Sequence, residues 1–423
     1  MAEPVKSFRD NAGCGHGKAS LSLEEARARM LEQITPVEGS ETVALRDALG
    51  RILAADVISE VDVPSHRNSA MDGYAVASGD LPGDGERGFR VIGTSWAGHP
   101  FDGSVGSGEC VRIMTGATVP EGADTVVMQE QVRRENDVAF IGAGHRAGQN
   151  VRAAGEDLAR GEAALPAGSY LRPAHLGLVA SLGISELPVR RRPRVAFFST
   201  GDELVSIGRP LGDGQIYDSN RYSLFGMLKR LDVEIIDLGV ARDEPAAIEA
   251  AFTEAGKRAD AVITSGGVSV GEADFVTDTL DRLGEVGFWT VAMKPGRPIA
   301  FGRLDGAWFF GLPGNPVSVM ATFYQLVQPA LQRLAGVEAP EPPLTLTAVA
   351  GNRLKKKPGR LEFQRGVFRR EADGRYAVES TGHQGSGILR SVCEANCFIV
   401  LEQDRGRVEA GEEVLIQPFQ CLA

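Results

Sequence analysis

Four carboxylates and three glycine-rich loops carry most of the chemistry that this sequence offers. Ser199-Thr-Gly-Asp-Glu203 follows the apolar run Val195-Ala-Phe-Phe, and Thr264-Ser-Gly-Gly-Val-Ser-Val-Gly-Glu-Ala-Asp274 follows Ala261-Val-Ile. Gly311-Leu-Pro-Gly-Asn-Pro316 follows Trp308-Phe-Phe. In an open α/β sheet, ligands sit beyond the carboxyl ends of strands, where such loops lead into helix N-termini. Gly201, Gly266, Gly267, Gly271 and Gly314 let backbone amides approach a phosphate, and Ser199, Thr200, Ser265 and Ser269 add hydroxyls. After Pro313, Asn315 is expected to cap a helix whose first position is Pro316.

The acids Asp202, Glu203, Asp243 and Asp274 belong to the same set of loops. Carboxylates beside a phosphate cradle repel it unless a cation intervenes, and hard oxygen ligands with phosphate oxygens suit Mg²⁺. Taken singly, Asp274 reads equally as a helix cap and Asp243 as a turn residue; convergence of all four on one sheet edge favours metal. None of the loops has the Gly-x-x-x-x-Gly-Lys-Ser/Thr order, which disfavours an ordinary P-loop nucleotidase. These residues point to a Mg²⁺-dependent enzyme acting on a phosphate-bearing ligand.

The elements that must hold these loops are legible in the pattern. Strands are expected near Val195-Ala-Phe-Phe, Val233-Glu-Ile-Ile-Asp-Leu, Ala261-Val-Ile-Thr and Trp308-Phe-Phe, alternating with helices over 219–231, 245–255, 274–283 and 316–334. That alternation predicts a mostly parallel sheet covered on both faces. Ahead of it, a polar leader precedes a helix capped by Ser22 and Glu25, with Leu23, Ala26, Met30 and Ile34 on one face. A second helix is expected over 46–55, and another over 173–182. Between them, 71–150 reads as a small glycine-rich β unit. The stretch Gly336-Val-Glu-Ala-Pro-Glu-Pro-Pro343 is a stiff linker before a C-terminal β domain.

Composition narrows the class. A chain of 423 residues with 43% hydrophobic and 24% charged residues suits several globular domains. A net charge of −11 argues against a general nucleic-acid or anionic-membrane surface, while leaving room for a locally positive pocket. Arg190-Arg-Arg-Pro-Arg194 accordingly reads as a solvated boundary before a buried strand. The N-terminus lacks the apolar core of a signal peptide, and no apolar run reaches membrane-spanning length. Five scattered cysteines fit unpaired thiols of the cytoplasm; Cys393 and Cys397 are four apart, and the run from Cys397 reads as a buried strand.

At Asn68-Ser-Ala-Met-Asp-Gly-Tyr-Ala-Val76 the chain closely resembles the molybdopterin molybdenumtransferase family, which includes the E domain of gephyrin. The likeness runs on through Arg112-Ile-Met-Thr-Gly-Ala117, Gly155-Glu-Asp157, Gly212-Asp-Gly-Gln-Ile-Tyr-Asp218, the three loops above, Lys294-Pro-Gly296, Phe363-Gln-Arg-Gly366 and Thr381-Gly-His-Gln-Gly-Ser386. It implies insertion of molybdate into adenylylated molybdopterin, release of AMP, and help from Mg²⁺. It implies a multidomain α/β plus β fold: a helical linker domain (1–70 and 151–190), an inserted β domain (71–150), a three-layer α/β molybdopterin-binding domain (191–336) and a C-terminal β-barrel (344–423). A homodimer with an active site shared between subunits, and contact with other enzymes of cofactor synthesis, are further implications.

Residue by residue, the resemblance implies a catalytic set of Asp72, Thr115, Asp157, Asp202, Glu203, Asp243 and Asp274, with Asp243 and Asp274 on the metal. It implies a molybdate pocket of Lys294, Pro295, Ser318, Arg365 and Ser386, since a tetrahedral dianion needs cationic and hydroxyl donors from several directions. Two positions depart from the pattern: Thr290 stands where relatives are commonly basic, and His66-Arg67 where they often carry an aromatic residue. Competing readings are the related adenylyltransferase, which lacks the flanking domains and the Asp72 motif, a scaffold, and a carrier of finished cofactor.

Overall fold

The computed structural model describes residues 20–266, 279, 280 and 282–422. These fall into two units: Thr42–Leu49 with Leu53–Val189, and the described parts of Met1–Glu41, Gly50–Ile52 and Arg190–Ala423.

In the first unit a six-stranded sheet runs in the order Thr125–Met128, Gly73–Val76, Glu109–Ile113, Glu86–Ser95, Val138–Gly142, Val132–Glu135. Alternation along Gly73–Val76 places Tyr74 and Val76 in a core with Phe89, Cys110 and Val127, and Ala75 in another with Val111, Ile113 and Val126. Such period-2 patterning is what a short, two-sided strand requires. The flanking segment packs the helix Pro173–Ser181 with the short strands Val57–Ile58 and Ala163–Leu165. The helix expected over 46–55 is instead a 3₁₀ turn, Leu45–Ala48. Gly50, at φ +77°, breaks it, and Leu53 pairs with Val189, so the segment is less helical than its composition suggests.

The second unit is built on another six-stranded sheet. Four parallel strands, Glu234–Ala241, Arg194–Thr200, Ala261–Ser265 and Ala307–Leu312, continue into antiparallel Pro298–Leu304 and Gly284–Thr290. The sequence pattern indicates only the parallel four. Strand Arg194–Thr200 is buried throughout its apolar run, because Val195 and Phe197 face one core and Ala196 and Phe198 the other. On the second face Phe252, from helix Pro245–Arg258, stands edge-on to Phe198 and Phe309 with ring centroids 5.2 and 5.6 Å away. The first face carries helices Ser219–Arg230 and Pro316–Ala335, the latter interrupted by a π-helical stretch, Phe323–Val327.

Helix Leu23–Gln33 forms with the capping box read from the sequence, Ser22 Oγ accepting from the Glu25 N–H at 3.0 Å. Its face Leu23, Ala26, Met30 does not join the linker segment but completes the first core of the α/β sheet. The reason is area: that core, with its helices on one side, offers far more apolar surface than the small cluster around Leu53 and Val179.

Five strands, Leu361–Arg370, Tyr376–Ser380, Leu346–Ala350, Glu413–Pro418 and Cys397–Leu401, close into a barrel through pairing of the last with the first. Cys397, Ile399 and Leu401 fill it, whereas Phe398 and Val400 point outward into the α/β core. Strand Met293–Lys294 adds to the barrel in parallel beside Leu361–Glu362, which fastens a loop of the α/β sheet to the barrel wall.

Candidate functional site

In the first unit, Asp72 and Thr115 meet. The turn after Glu109–Ile113 brings the Thr115 N–H and hydroxyl within 2.7 Å of Asp72 Oδ1, and both donate to it. The Thr115 N–H, then its hydroxyl, and more weakly the Arg112 guanidinium hold the Asp72 carboxyl below the usual carboxylate range. Asp72 is thus a fixed anion at neutral pH. Asp157 lies on a separate turn, its N–H bonded to Val63 O at 3.0 Å, and its carboxylate accepts no hydrogen bond among the described residues. The guanidinium of Arg67, one of the departures, donates to Ala123 O at 2.8 Å.

In the second unit, the described parts of the sequence-predicted loops, 199–203, 264–266 and 311–316, lie at the carboxyl end of the parallel sheet. Ser199 and Ser265, neighbours on adjacent strands, share a hydroxyl contact of 3.2 Å that forms a buried polar floor. Thr200 and Thr264 hydroxyls are buried beside it without a partner among the described residues. Gly266, at φ +94°, donates its N–H to Leu312 O at 3.1 Å, and a Cβ there would come within 2.8 Å of Thr200 O. A side chain at this position is therefore excluded by both conformation and space. Gly201 and Gly314 flank it, with Pro313, Asn315 and Pro316 leading into the helix Pro316–Thr322. Asn315 makes no side-chain capping bond, contrary to expectation.

Asp202, Glu203 and Asp243 gather at this edge. Asp202 Oδ1 accepts the Asp243 N–H at 3.2 Å. Partial shielding of the Asp243 carboxyl, then the charge of Asp202 and that of Glu203, push it above the usual carboxylate range. Among the described residues no three His, Cys, Asp or Glu side chains are already arranged to hold a metal ion. Gly267, Ser269, Gly271 and Asp274, with the expected helix start at 274, lie outside the described residues.

The residues assigned to molybdate converge from three elements. Gly296, after Lys294 and Pro295, packs against helix Pro316–Thr322, where a Cβ would meet Thr322 Oγ1 at 2.4 Å and Ser318 O at 3.4 Å. From the barrel, Ser386 O accepts the N–H of Val317 at 3.0 Å, filling one of the open donors of that helix end. Lys294, whose side chain is 45% exposed, pairs with buried Glu362 at 2.9 Å. Arg365, which the resemblance puts in the molybdate pocket, is only 1% exposed, its guanidinium engaged by protein groups. Its Nε donates to Ser391 Oγ at 3.0 Å and its Nη2 to Gly385 O at 3.0 Å, so the guanidinium holds the loop that carries Ser386. Burial pushes its pKa down to about 10, which leaves it charged at neutral pH.

Two residues escaped the sequence reading. Asn220 Nδ2 donates to Gly314 O at 2.7 Å and so steadies the third loop, and Glu362 anchors Lys294. The signal for Asn220 is its place two residues after the motif ending at Asp218; nothing local marks Glu362.

Comparison with known proteins matches three family profiles in order: the MoeA N-terminal region (domain I and II) over residues 21–183, a probable molybdopterin binding domain over 196–333, and the MoeA C-terminal region (domain IV) over 347–419. The chain belongs to the molybdopterin molybdenumtransferase family. A molybdopterin molybdenumtransferase of Haemophilus influenzae is 49% identical over 403 residues, covering 95% of this chain and 99% of that one. One from a Nostoc species is 36% identical over 395 residues, covering 92% and 90%. A solved molybdopterin biosynthesis moeA protein of Pyrococcus horikoshii superposes with a TM-score of 0.81 at 30% identity, covering 95% of this chain and all of that one, 100%. Membership in the molybdenumtransferase family places the chain in molybdenum cofactor biosynthesis, and the domain layout is that of the family. No helix among the described residues is long and apolar enough to cross a membrane.

Proposed function

We propose that this protein inserts molybdate into adenylylated molybdopterin and releases AMP, with Mg²⁺ assisting. The observation that carries the reading is the sheet edge, where a hydroxyl floor and glycine loops stand beside clustered carboxylates, with Asp243 raised by partial shielding and then by the charges of Asp202 and Glu203. Such an arrangement is poor for a bare phosphate and well suited to a phosphate with a hard cation. Asp243 and Asp274 would hold Mg²⁺, which when bound supplies charge neutralisation at the phosphate oxygens. Asp202 fixes the backbone of Asp243 by accepting its N–H, Glu203 adds negative charge beside it, and the Thr200 and Thr264 hydroxyls would donate to the phosphate.

Molybdate is assigned to Lys294, Pro295, Ser318 and Ser386. Arg365 contributes charge from below and holds the Ser386 loop in place. Support comes from the way the barrel loop seats on the first turn of helix Pro316–Thr322, so that cationic and hydroxyl groups of separate domains share one rim.

Large apolar side chains exposed on 207–225, namely Ile207, Leu211, Ile216, Tyr217, Tyr222 and Phe225, support a homodimer through this face. The assembly works in the cytoplasm and meets other enzymes of cofactor synthesis. The test is to incubate pure protein with adenylylated molybdopterin, molybdate and Mg²⁺ and to follow AMP by chromatography. Molybdate-dependent AMP is expected, and it should disappear with chelator. AMP formation indifferent to molybdate, or none at all, overturns the assignment.

A further inference from the structure

Three turns of the first unit are stitched into one rim. The Gly116 N–H donates to Ser69 O at 2.8 Å, the Met114 N–H to Ser95 O at 3.2 Å, and Thr115 to Asp72 as described. Ser95 Oγ adds a bond to Thr118 O at 2.9 Å. In the middle turn Trp96 and His99 exchange both backbone bonds, at 3.0 and 2.9 Å, closing a tight hairpin. A Cβ built on Gly116 would lie 3.9 Å from Ala97 Cβ, so the hairpin rests directly against the turn that carries Thr115.

On this rigid rim the Trp96 indole is left 54% exposed, whereas Trp289 and Trp308 are 2% and 5% exposed. An indole is the largest apolar side chain, and one held out in water by a fully bonded turn forgoes a large burial gain. Asp72 supplies the second observation. Its Oδ1 takes both Thr115 donors, leaving Oδ2 without a protein donor among the described residues. The Arg112 guanidinium, stacked 5.1 Å from the Tyr74 ring centroid, helps to keep that carboxylate ionised. A flat ring that carries N–H donors on its edge satisfies both features at once, with its face on the indole and its edge on Oδ2.

We propose that Trp96 is a stacking surface for a heteroaromatic ring of the substrate, with Asp72 Oδ2 accepting from that ring's N–H groups. The inference rests on the functional reading above and deepens it, since adenylylated molybdopterin carries two such rings, adenine and pterin. Stacking on an aromatic side chain is sequence- and ring-tolerant, so contact chemistry is shared and the test separates the two sources.

Trp96, as the exposed tryptophan among the described three, should carry most of the iodide quenching of intrinsic fluorescence. Quenching is measured on the full chain with AMP alone, with molybdopterin alone, and without ligand. Protection by AMP assigns adenine, and protection by molybdopterin assigns the pterin. Trp96→Ala should raise the Kd of the protecting ligand about tenfold or more, with Trp96→Phe recovering most of the loss. Protection by neither ligand overturns the proposal. So does shielding of Trp96 in the ligand-free protein that deepens with protein concentration, which would make the indole a subunit contact. Failure of the functional reading is distinguishable: it appears as absent AMP release in the wild type, whatever the fluorescence does.

Discussion

Asp243 owes its raised pKa to shielding and to two neighbouring carboxylates, and these causes can be separated. Asp202→Asn keeps an Oδ1 that can accept the Asp243 N–H but removes the charge. The Asp243 carboxyl, followed by ¹³C NMR, should then titrate lower, towards its ordinary value, and added Mg²⁺ should lower it in the wild type too. Because a raised acid stabilises the fold at low pH and loses that contribution as pH rises through its folded value, the variant should also be somewhat more stable at neutral pH. An unmoved titration would take Asp202 out of the shift, leaving shielding and Glu203, and weaken the case for a cation. At Asp72 the direction is opposite: that carboxyl is held charged by the Thr115 donors, whereas Asp243 is raised by shielding and by like charge.

The element that steadies the α/β sheet is a fork of arginines at the end opposite the loops. Burial alone would push the Asp260 carboxyl up, but hydrogen bonds from the Arg191 and Arg194 guanidiniums and from the Arg194 N–H hold it at about 2. Arg190-Arg-Arg-Pro-Arg194 is therefore a bracket for the neighbouring strand, with Arg192 on Asp232, rather than merely a solvated boundary. A depressed carboxyl contributes stability that is present above its unfolded value and lost as pH falls through the folded one. Between about pH 4 and pH 2 the protein should lose roughly 2 kcal/mol through this residue. Asp260→Asn should show that loss already at neutral pH and a flatter acid limb, read by urea denaturation across pH. Equal acid limbs in both proteins would take Asp260 out of the account.

For the molecule as a whole, the proposed dimer makes a demand that single chains do not. Asp72 belongs to one structural unit and Asp243 to the other, and the family resemblance implies a site shared between subunits. Mixing Asp72→Ala with Asp243→Ala subunits should restore part of the AMP release that each lacks alone. Absence of rescue, with subunit exchange demonstrated by mass spectrometry, would assign both residues to the same chain's site.

What the sequence determined by itself is what local chemistry encodes: the capping box at Ser22, the two-sided strand Val195-Ala-Phe-Phe, the glycine loops and the order of family motifs. Strand periodicity and turn chemistry act over a few residues, so a linear reading reaches them. The antiparallel strands Gly284–Thr290 and Pro298–Leu304 escaped because their glycines and charges weaken the alternation, and pairing with Ala307–Leu312 supplies what propensity does not. Helix Leu23–Gln33 chose its core by available apolar area, a property of the assembled sheet. Likewise, the type of Arg365 could be read, but not its burial or its hold on Ser391 and Gly385. Nor could the pairing of Lys294 with Glu362, or the seat of Ser386 on Val317, be read from the chain. Those contacts join segments far apart in sequence, and only closure of the barrel against the sheet edge brings their donors and acceptors within bonding distance.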